Sequence, residues 1–288
     1  MKKIILFFLT ITCLAISCTK VEDPEGYKKL QVFSPGDTII VNYGTVIKFS
    51  TVPIGLFEVS KPEAGTVDYS GLYTAGNTQG TYQLVVLNSK DIRDTVKKTI
   101  IVTPHASIFN AMKLTGGYLF SFRHADATSG ADDISSNVVS WWKSADPRLA
   151  AQITNPIGIK NSDSTGMVMR MMKLPFDTTM SSEFARCKQT IQHFNLNLPN
   201  KEYTQLTYYV YNEPLRYANT LDLFATKPIA LKNYLAVTHA EFANPFSAAN
   251  LHNLGYGDCA VYKMNSIGVR PTFVKKITVS DWLAMARK

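Results

Sequence analysis

Two textures of apolar and polar residues divide the chain. Between about residues 30 and 104 the apolar residues come in short runs, at 30–33, 38–41, 46–49, 82–86 and 98–102, with Pro35-Gly36, Pro53, Gly55 and Gly76 between them. Short runs with turn punctuation and no helical period predict the strands of a small all-β sandwich. From residue 106 longer patterns take over. Residues 118–122, Tyr-Leu-Phe-Ser-Phe, form a continuous apolar run that is entered through Gly116-Gly117 and ends in Arg123-His124. Residues 234–238 form a second such run and deliver His239. Runs this unbroken predict strands buried on both faces of a parallel sheet, and ligands bind beyond the carboxyl ends of such strands. Further strands are predicted at 259–264 and 273–279, with 205–211 a strand or edge segment.

Helical spacing links Met167, Val168, Met171, Met172 and Leu174, weakened at Gly166 and closed by Pro175. A second helix is predicted over 183–194, with Phe184, Cys187, Ile191 and Phe194 as its apolar stripe and Ser182 as its cap. Short helices are predicted at 221–224, at 248–254 and, capped by Ser280, at 281–287.

The amino terminus should not be counted as fold. Met1-Lys2-Lys3 and the apolar run 4–16 have the charged start of a secretory signal and are too short to span a bilayer. The run ends Leu14-Ala15-Ile16-Ser17-Cys18, which resembles the bacterial lipoprotein cleavage box, although Ala15 stands where that pattern prefers Leu. The resemblance implies that residues 1–18 are a signal with a lipidated Cys18. Residues 19–29, with Glu22, Asp23 and Glu25, would then be a polar tether. It also implies an exported bacterial lipoprotein, on the periplasmic side of a membrane or at the cell surface, with the lipid anchor as its membrane partner.

Composition adds limits. The 288 residues, 45% of them apolar, suffice for two domains. The net charge of +8 is scattered, with no Lys/Arg cluster interleaved with aromatics, which argues against a nucleic-acid partner and suits a pocket for small anions. Cys187 and Cys259 carry no framework signal, so pairing and burial as thiols both stay open, and neither is taken as a nucleophile. His105, His193 and His252 lack ligand spacing, so no metal is expected. Trp141-Trp142 and the methionine cluster read as packing.

Two further resemblances concern the folded body. Gly65-Thr66-Val67, then Gly71-Leu72-Tyr73-Thr74-Ala75 and Gly80-Thr81-Tyr82, resemble the bacterial Ig-like repeat, which implies an Ig-like sandwich over 30–104 serving as a stalk or spacer. Arg123-His124-Ala125, the segment Ser181-Ser182-Glu183-Phe184-Ala185-Arg186-Cys187-Lys188-Gln189-Thr190 and Thr238-His239 resemble the motifs of the histidine phosphatase superfamily. Each motif alone is weak, but the three stand in the family's order and on the expected elements.

The resemblance implies an α/β three-layer, phosphoglycerate mutase-like domain over 106–288 that hydrolyses a phosphomonoester without a cofactor. His124 would be the nucleophile, Arg123 and Arg186 would clamp phosphate oxygens, and His239 would donate to the same oxygens. Phosphoryl transfer spreads charge over equatorial oxygens, which is why two guanidiniums and a second imidazole serve it. The proton donor is left among Glu241, which is favoured, Glu213 and Asp126. Ala125 replaces the family's usual Gly, and Glu183 stands where Pro is common. Competing readings are an inactive phosphate- or partner-binding lipoprotein and a phosphomutase. The substrate, a small phosphorylated molecule, is not named by the loops at 128–146 and 214–226, nor is the oligomeric state.

Overall fold

The computed structural model describes residues 28–128, 130–153, 155–207, 216–228, 232–239 and 254–287. The amino-terminal part is all β. A short pair joins β1 (Gln31–Phe33) to a later strand, β4 (Ser50–Val52), on the far side of β2 (Thr38–Val41) and β3 (Val46–Lys48) in the chain. There follow β5 (Gly55–Val59), β6 (Gly65–Val67), β7 (Leu72–Ala75), β8 (Gly80–Asn88) and β9 (Asp91–Val102). A four-stranded sheet runs β2-β9-β8-β5 and a three-stranded one β3-β7-β6. Alternation explains the packing: Tyr82, Leu84 and Val86 of β8 are buried, and with Ile100 of β9 they share one core with Phe49 and with Tyr73 of β7. The hairpin of β8 and β9 is longer than the runs 82–86 and 98–102 predicted.

The second part is one six-stranded sheet of β10 (Tyr118–Arg123), β11 (Thr178–Ser181), β12 (Asn200–Glu202), β13 (Asn233–Thr238), β14 (Cys259–Lys263) and β15 (Thr272–Ile277), in the order β12-β11-β13-β10-β14-β15. The first four are parallel, but β14 and β15 run antiparallel to their neighbours, so the sheet is mixed rather than parallel.

Helices α1 (Ala106–Thr115), α2 (Pro156–Met171), α3 (Ala185–Phe194) and α5 (Val279–Ala286) pack on one face, against Phe120, Phe122, Leu235, Val237 and Val261. The alternate residues Leu119, Tyr234, Ala236 and Ala260 face the opposite cluster, which holds Leu221 and Phe224 of α4 (Arg216–Ala225). Burial on both faces is what made the runs at 118–122 and 234–238 continuous. The two parts are joined: Thr81 Oγ1 donates to the Met285 carbonyl at 2.6 Å and Asn110 Nδ2 to that of Ile40 at 3.1 Å. No helix of the described residues is long and apolar enough to cross a membrane.

Several expectations need correction. Helix α1 and strand β11 were not predicted. Helix α2 starts well before Met167: Asn155 Oδ1 accepts the Gly158 N–H at 2.6 Å and Pro156 sits in the first turn. Helix α3 starts at Ala185 rather than 183, and Ser182 is not its cap. Helix α5 is capped by Thr278 in a capping box with Asp281, not by Ser280. Residues 204–206 form a 3-10 turn that overlaps the start of the strand or edge segment predicted at 205–211, and 208–211 and 248–253 lie outside the described residues.

Gly166, which weakens the pattern of α2, is explained by contact. A Cβ there would stand 2.2 Å from the Phe194 carbonyl oxygen and 2.5 Å from Phe194 Cα, backbone atoms at the end of α3 that cannot step aside cheaply. We expect Gly166→Ala to lower the unfolding free energy by a net of up to about 2 kcal/mol, because an overpacking cost at the upper end of about 1–3 kcal/mol outweighs the helix-propensity gain of about 1 kcal/mol. The check is the urea midpoint at unchanged m, and an unmoved or raised midpoint contradicts the close approach.

Candidate active site

Strand register builds the centre of the site. In the parallel pair β10 and β13, Arg123 stands opposite Thr238, so the next residues, His124 and His239, emerge side by side. The His124 N–H donates to the Thr238 carbonyl at 2.9 Å, and the two imidazole centroids are 5.3 Å apart. On the other side of β13, Ser181 of β11 pairs with Val237, and the Ser182 N–H donates to the Val237 carbonyl at 3.0 Å. The chain then turns into α3, whose second residue is Arg186. Three neighbouring parallel strands therefore deliver His124, His239 and Arg186 to one point.

His124 is buried at 6% exposure. Its Nδ1 lies 2.8 Å from the Ala125 carbonyl, an acceptor only, so Nδ1 carries the proton. Nε2 is then the lone-pair nitrogen, and it accepts the Arg186 Nε–H at 3.2 Å. Burial, and after it the Arg186 charge, hold this imidazole well below the ordinary histidine pKa, and the ring is neutral.

Arg186 is 4% exposed. Its Nη2 is 3.5 Å from His239 Nδ1, and its guanidinium carbon lies 4.0 Å from the Phe184 ring centroid. Its Nη1 and Nη2 donate to the two carboxylate oxygens of Asp132 at 2.7 and 2.9 Å. His239 turns Nε2 to Ser182 Oγ, 3.0 Å away, while the Ser182 hydroxyl is directed to Thr207 Oγ1 at 3.4 Å. Arg123 donates from Nη1 to the Leu254 carbonyl at 2.7 Å and lies 3.8 Å over the Tyr256 ring. Its Nε is buried with no hydrogen-bond partner among the described residues. The Tyr256 ring also stands 5.5 Å from that of His124.

The structure thus brings Arg123, His124, Arg186 and His239 together. Asp126 is close in sequence, but its carboxylate accepts the Thr128 N–H at 3.1 Å within its own loop. Glu213 and Glu241 lie outside the described residues. Asp132, Ser182 as the partner of His239, and Tyr256 are site residues that sequence reasoning missed. Tyr256 had a signal in its two flanking glycines; Asp132 had none beyond its place in a polar loop.

Cys187 lies 3.8 Å from His239 Nε2, but burial pushes its thiol up to about 12, which disarms it as a nucleophile. Cys187 and Cys259 are both free and buried. Trp141 packs edge-on against Phe184, and Trp142 donates from Nε1 to Glu183 at 3.0 Å. Among the described residues no group of three or more His, Cys, Asp or Glu is placed to hold a metal.

A neutral imidazole with its lone pair aimed at a fixed guanidinium, beside a second imidazole and a second arginine, can attack an electrophile bearing anionic oxygens and hold the charge that develops. No protein-family model and no curated protein matches the chain. Many solved structures align with part of it at low identity. The protein histidine phosphatase SixA complexed with tungstate is 17% identical, with a TM-score of 0.41 over 57% of this chain and 98% of that one. Phosphoserine phosphatase from Entamoeba histolytica, in complex with 3-phosphoglyceric acid, is 11% identical, with a TM-score of 0.36 over 57% of this chain and 98% of its own.

The lowered His124 pKa has a direct readout. A histidine whose folded pKa is depressed stays neutral as pH falls through the ordinary value near 6.5 and protonates only below it. Ring-nitrogen NMR of the ligand-free protein at pH 6 should show His124 as the neutral Nδ1–H tautomer. An imidazolium signal for His124 at that pH contradicts the arrangement.

Proposed function

We propose that the chain is an exported, membrane-anchored phosphomonoesterase of the histidine phosphatase type, working through a phosphohistidine on His124. The observation that carries this reading is the His124 Nε2 lone pair, 3.2 Å from Arg186 Nε and beside the ring of His239. Sequence motifs in the family's order stand behind it.

In the reaction Nε2 attacks phosphorus and the ester P–O bond breaks. The leaving oxygen takes a proton from an acid, for which Glu241, two residues after His239, is the first choice, with Glu213 and Asp126 as rivals. Water, giving up its proton to the conjugate base of that acid, then cleaves the P–N bond. Inorganic phosphate leaves and the imidazole is restored. Arg123, whose buried Nε has no partner among the described residues, and Arg186 bind phosphate oxygens through charge-assisted bonds. His239 is bonded through Nε2 to Ser182, so it donates from Nδ1 once the arriving phosphate dianion favours its protonation.

The lipoprotein assignment rests on the segment 14–18, with Cys18 as the lipidated residue. The Ig-like assignment of residues 30–104, as a spacer between membrane and catalytic domain, rests on the Gly-rich motifs quoted above. Export disfavours a phosphomutase, whose sugar-phosphate substrates are cytosolic.

Purified protein with p-nitrophenyl phosphate tests the reading. We expect release of nitrophenol, a loss of more than about 1000-fold in His124→Ala, and an acid-labile, alkali-stable phosphoenzyme trapped by rapid quench. Absence of turnover with phosphate still bound would make the chain a binding protein instead.

A further inference from the structure

We propose that Asp132 is a positioning residue of the site: its carboxylate fixes the Arg186 guanidinium so that the edge carrying Nε faces the gap between His124 and His239. This rests on the phosphatase reading above and deepens it.

A guanidinium has an end, made of Nη1 and Nη2, and a side, made of Nε and Nη2. Asp132 takes the end in a two-bond fork at 2.7 and 2.9 Å. The side is left toward the two imidazoles, with Nε 3.2 Å from His124 Nε2 and Nη2 3.5 Å from His239 Nδ1. The flat face is covered by the Phe184 ring at 4.0 Å. Fork pairing is planar, so it removes rotation about the last side-chain bonds. With face and end both held, the side edge has one direction, and it is the direction from which two donors could reach a phosphoryl group bonded to His124 Nε2.

Asp132 is itself anchored. The Ala131 N–H donates to the Pro147 carbonyl at 3.2 Å and the Asp133 N–H to that of Leu149 at 2.9 Å, a strand-like pairing that brackets it. The Ala151 N–H donates to Asp132 Oδ1 at 3.1 Å. Gly130 permits this: its φ is +99°, and a Cβ there would lie 2.1 Å from the Pro147 carbonyl oxygen. The loop after the nucleophile is thereby built to hold one carboxylate against one guanidinium.

The opposite effect is physically available, because a carboxylate beside an anion site repels the anion, and the two differ in sign. For positioning, Asp132→Ala should lower kcat/KM for p-nitrophenyl phosphate and weaken vanadate inhibition, each by about 10- to 100-fold. Asp132→Glu should recover part of the loss. The readout that a merely structural role would not move is the double variant: in an Arg186→Ala background, Asp132→Ala should cost nothing further. If Asp132→Ala proves poorly folded by circular dichroism, Asp132→Asn, which keeps shape and loses charge, replaces it in the same cycle.

Tighter binding of vanadate or inorganic phosphate by the Asp132 variant, an unchanged kcat/KM, or full additivity with Arg186→Ala overturns the proposal while the phosphatase reading stands. A wild-type chain that neither hydrolyses p-nitrophenyl phosphate nor binds phosphate takes down both.

Discussion

A permanently charged guanidinium withdrawn from water beside two imidazoles sets the terms for everything around it. Taking such a charge out of water costs several kcal/mol unless it is paired and hydrogen-bonded. Arg186, at 4% exposure, meets that condition through Asp132, the Phe184 face and the lone pair of His124. A second positive charge on His124 would undo it, and together with burial this keeps the imidazole neutral. The same balance makes the site receptive to an oxyanion, since a buried cation beside a second guanidinium, whose Nε has no partner among the described residues, gains from a negative ligand in low dielectric.

Holding that balance requires exact relative placement, which the sheet supplies more than any loop. The β10/β13 register sets the two histidines abreast, and β11 on the far side of β13 starts the turn that brings α3 and Arg186 to them. Helix α3 is then clamped by α2 through the bare backbone contact at Gly166, and the loop after His124 is tied to α3 by the Ala125 N–H, which donates to Thr190 Oγ1 at 3.0 Å. A shift in any of these elements moves a donor relative to Nε2, where displacements of about 1 Å matter.

How far this was legible in the sequence follows from where each signal is stored. β10 and β13 are buried on both faces, so their apolar runs are unbroken and their ends point at Arg123-His124 and His239. β11 was invisible because Thr178-Thr179-Met180-Ser181 is short and polar in type, although Thr179 and Ser181 are buried. The first half of α2, Gly158 to Gly166, is rich in small and polar residues, and its reason for being helical is close packing rather than an apolar stripe. Ser182 looked like a helix cap because Ser before a helix usually is one. Its hydroxyl serves His239 instead, a partner that is 57 residues away. Asp132 could not be read at all, since its position depends on pairing between two loops with no pattern of their own.

The two departures from the motif that the sequence resembles acquire a reason in the folded chain. Ala125, in place of Gly, adds a methyl that joins a small buried cluster with Ala127 and Ile153, so it packs the loop down. Glu183, in place of Pro, reaches the Trp142 indole at 3.0 Å and the Lys143 amine at 2.9 Å, fastening residues 141–143 to the entrance of α3. Both substitutions act on the polypeptide between 125 and 153, the stretch that also carries Asp132. Neither residue displaces Arg123, His124, Arg186 or His239, and the wall around them is refastened. On the proposed phosphatase reading, differences between this chain and others built on the same motif are to be sought in that wall, which a substrate's leaving group would meet before its phosphate reached His124.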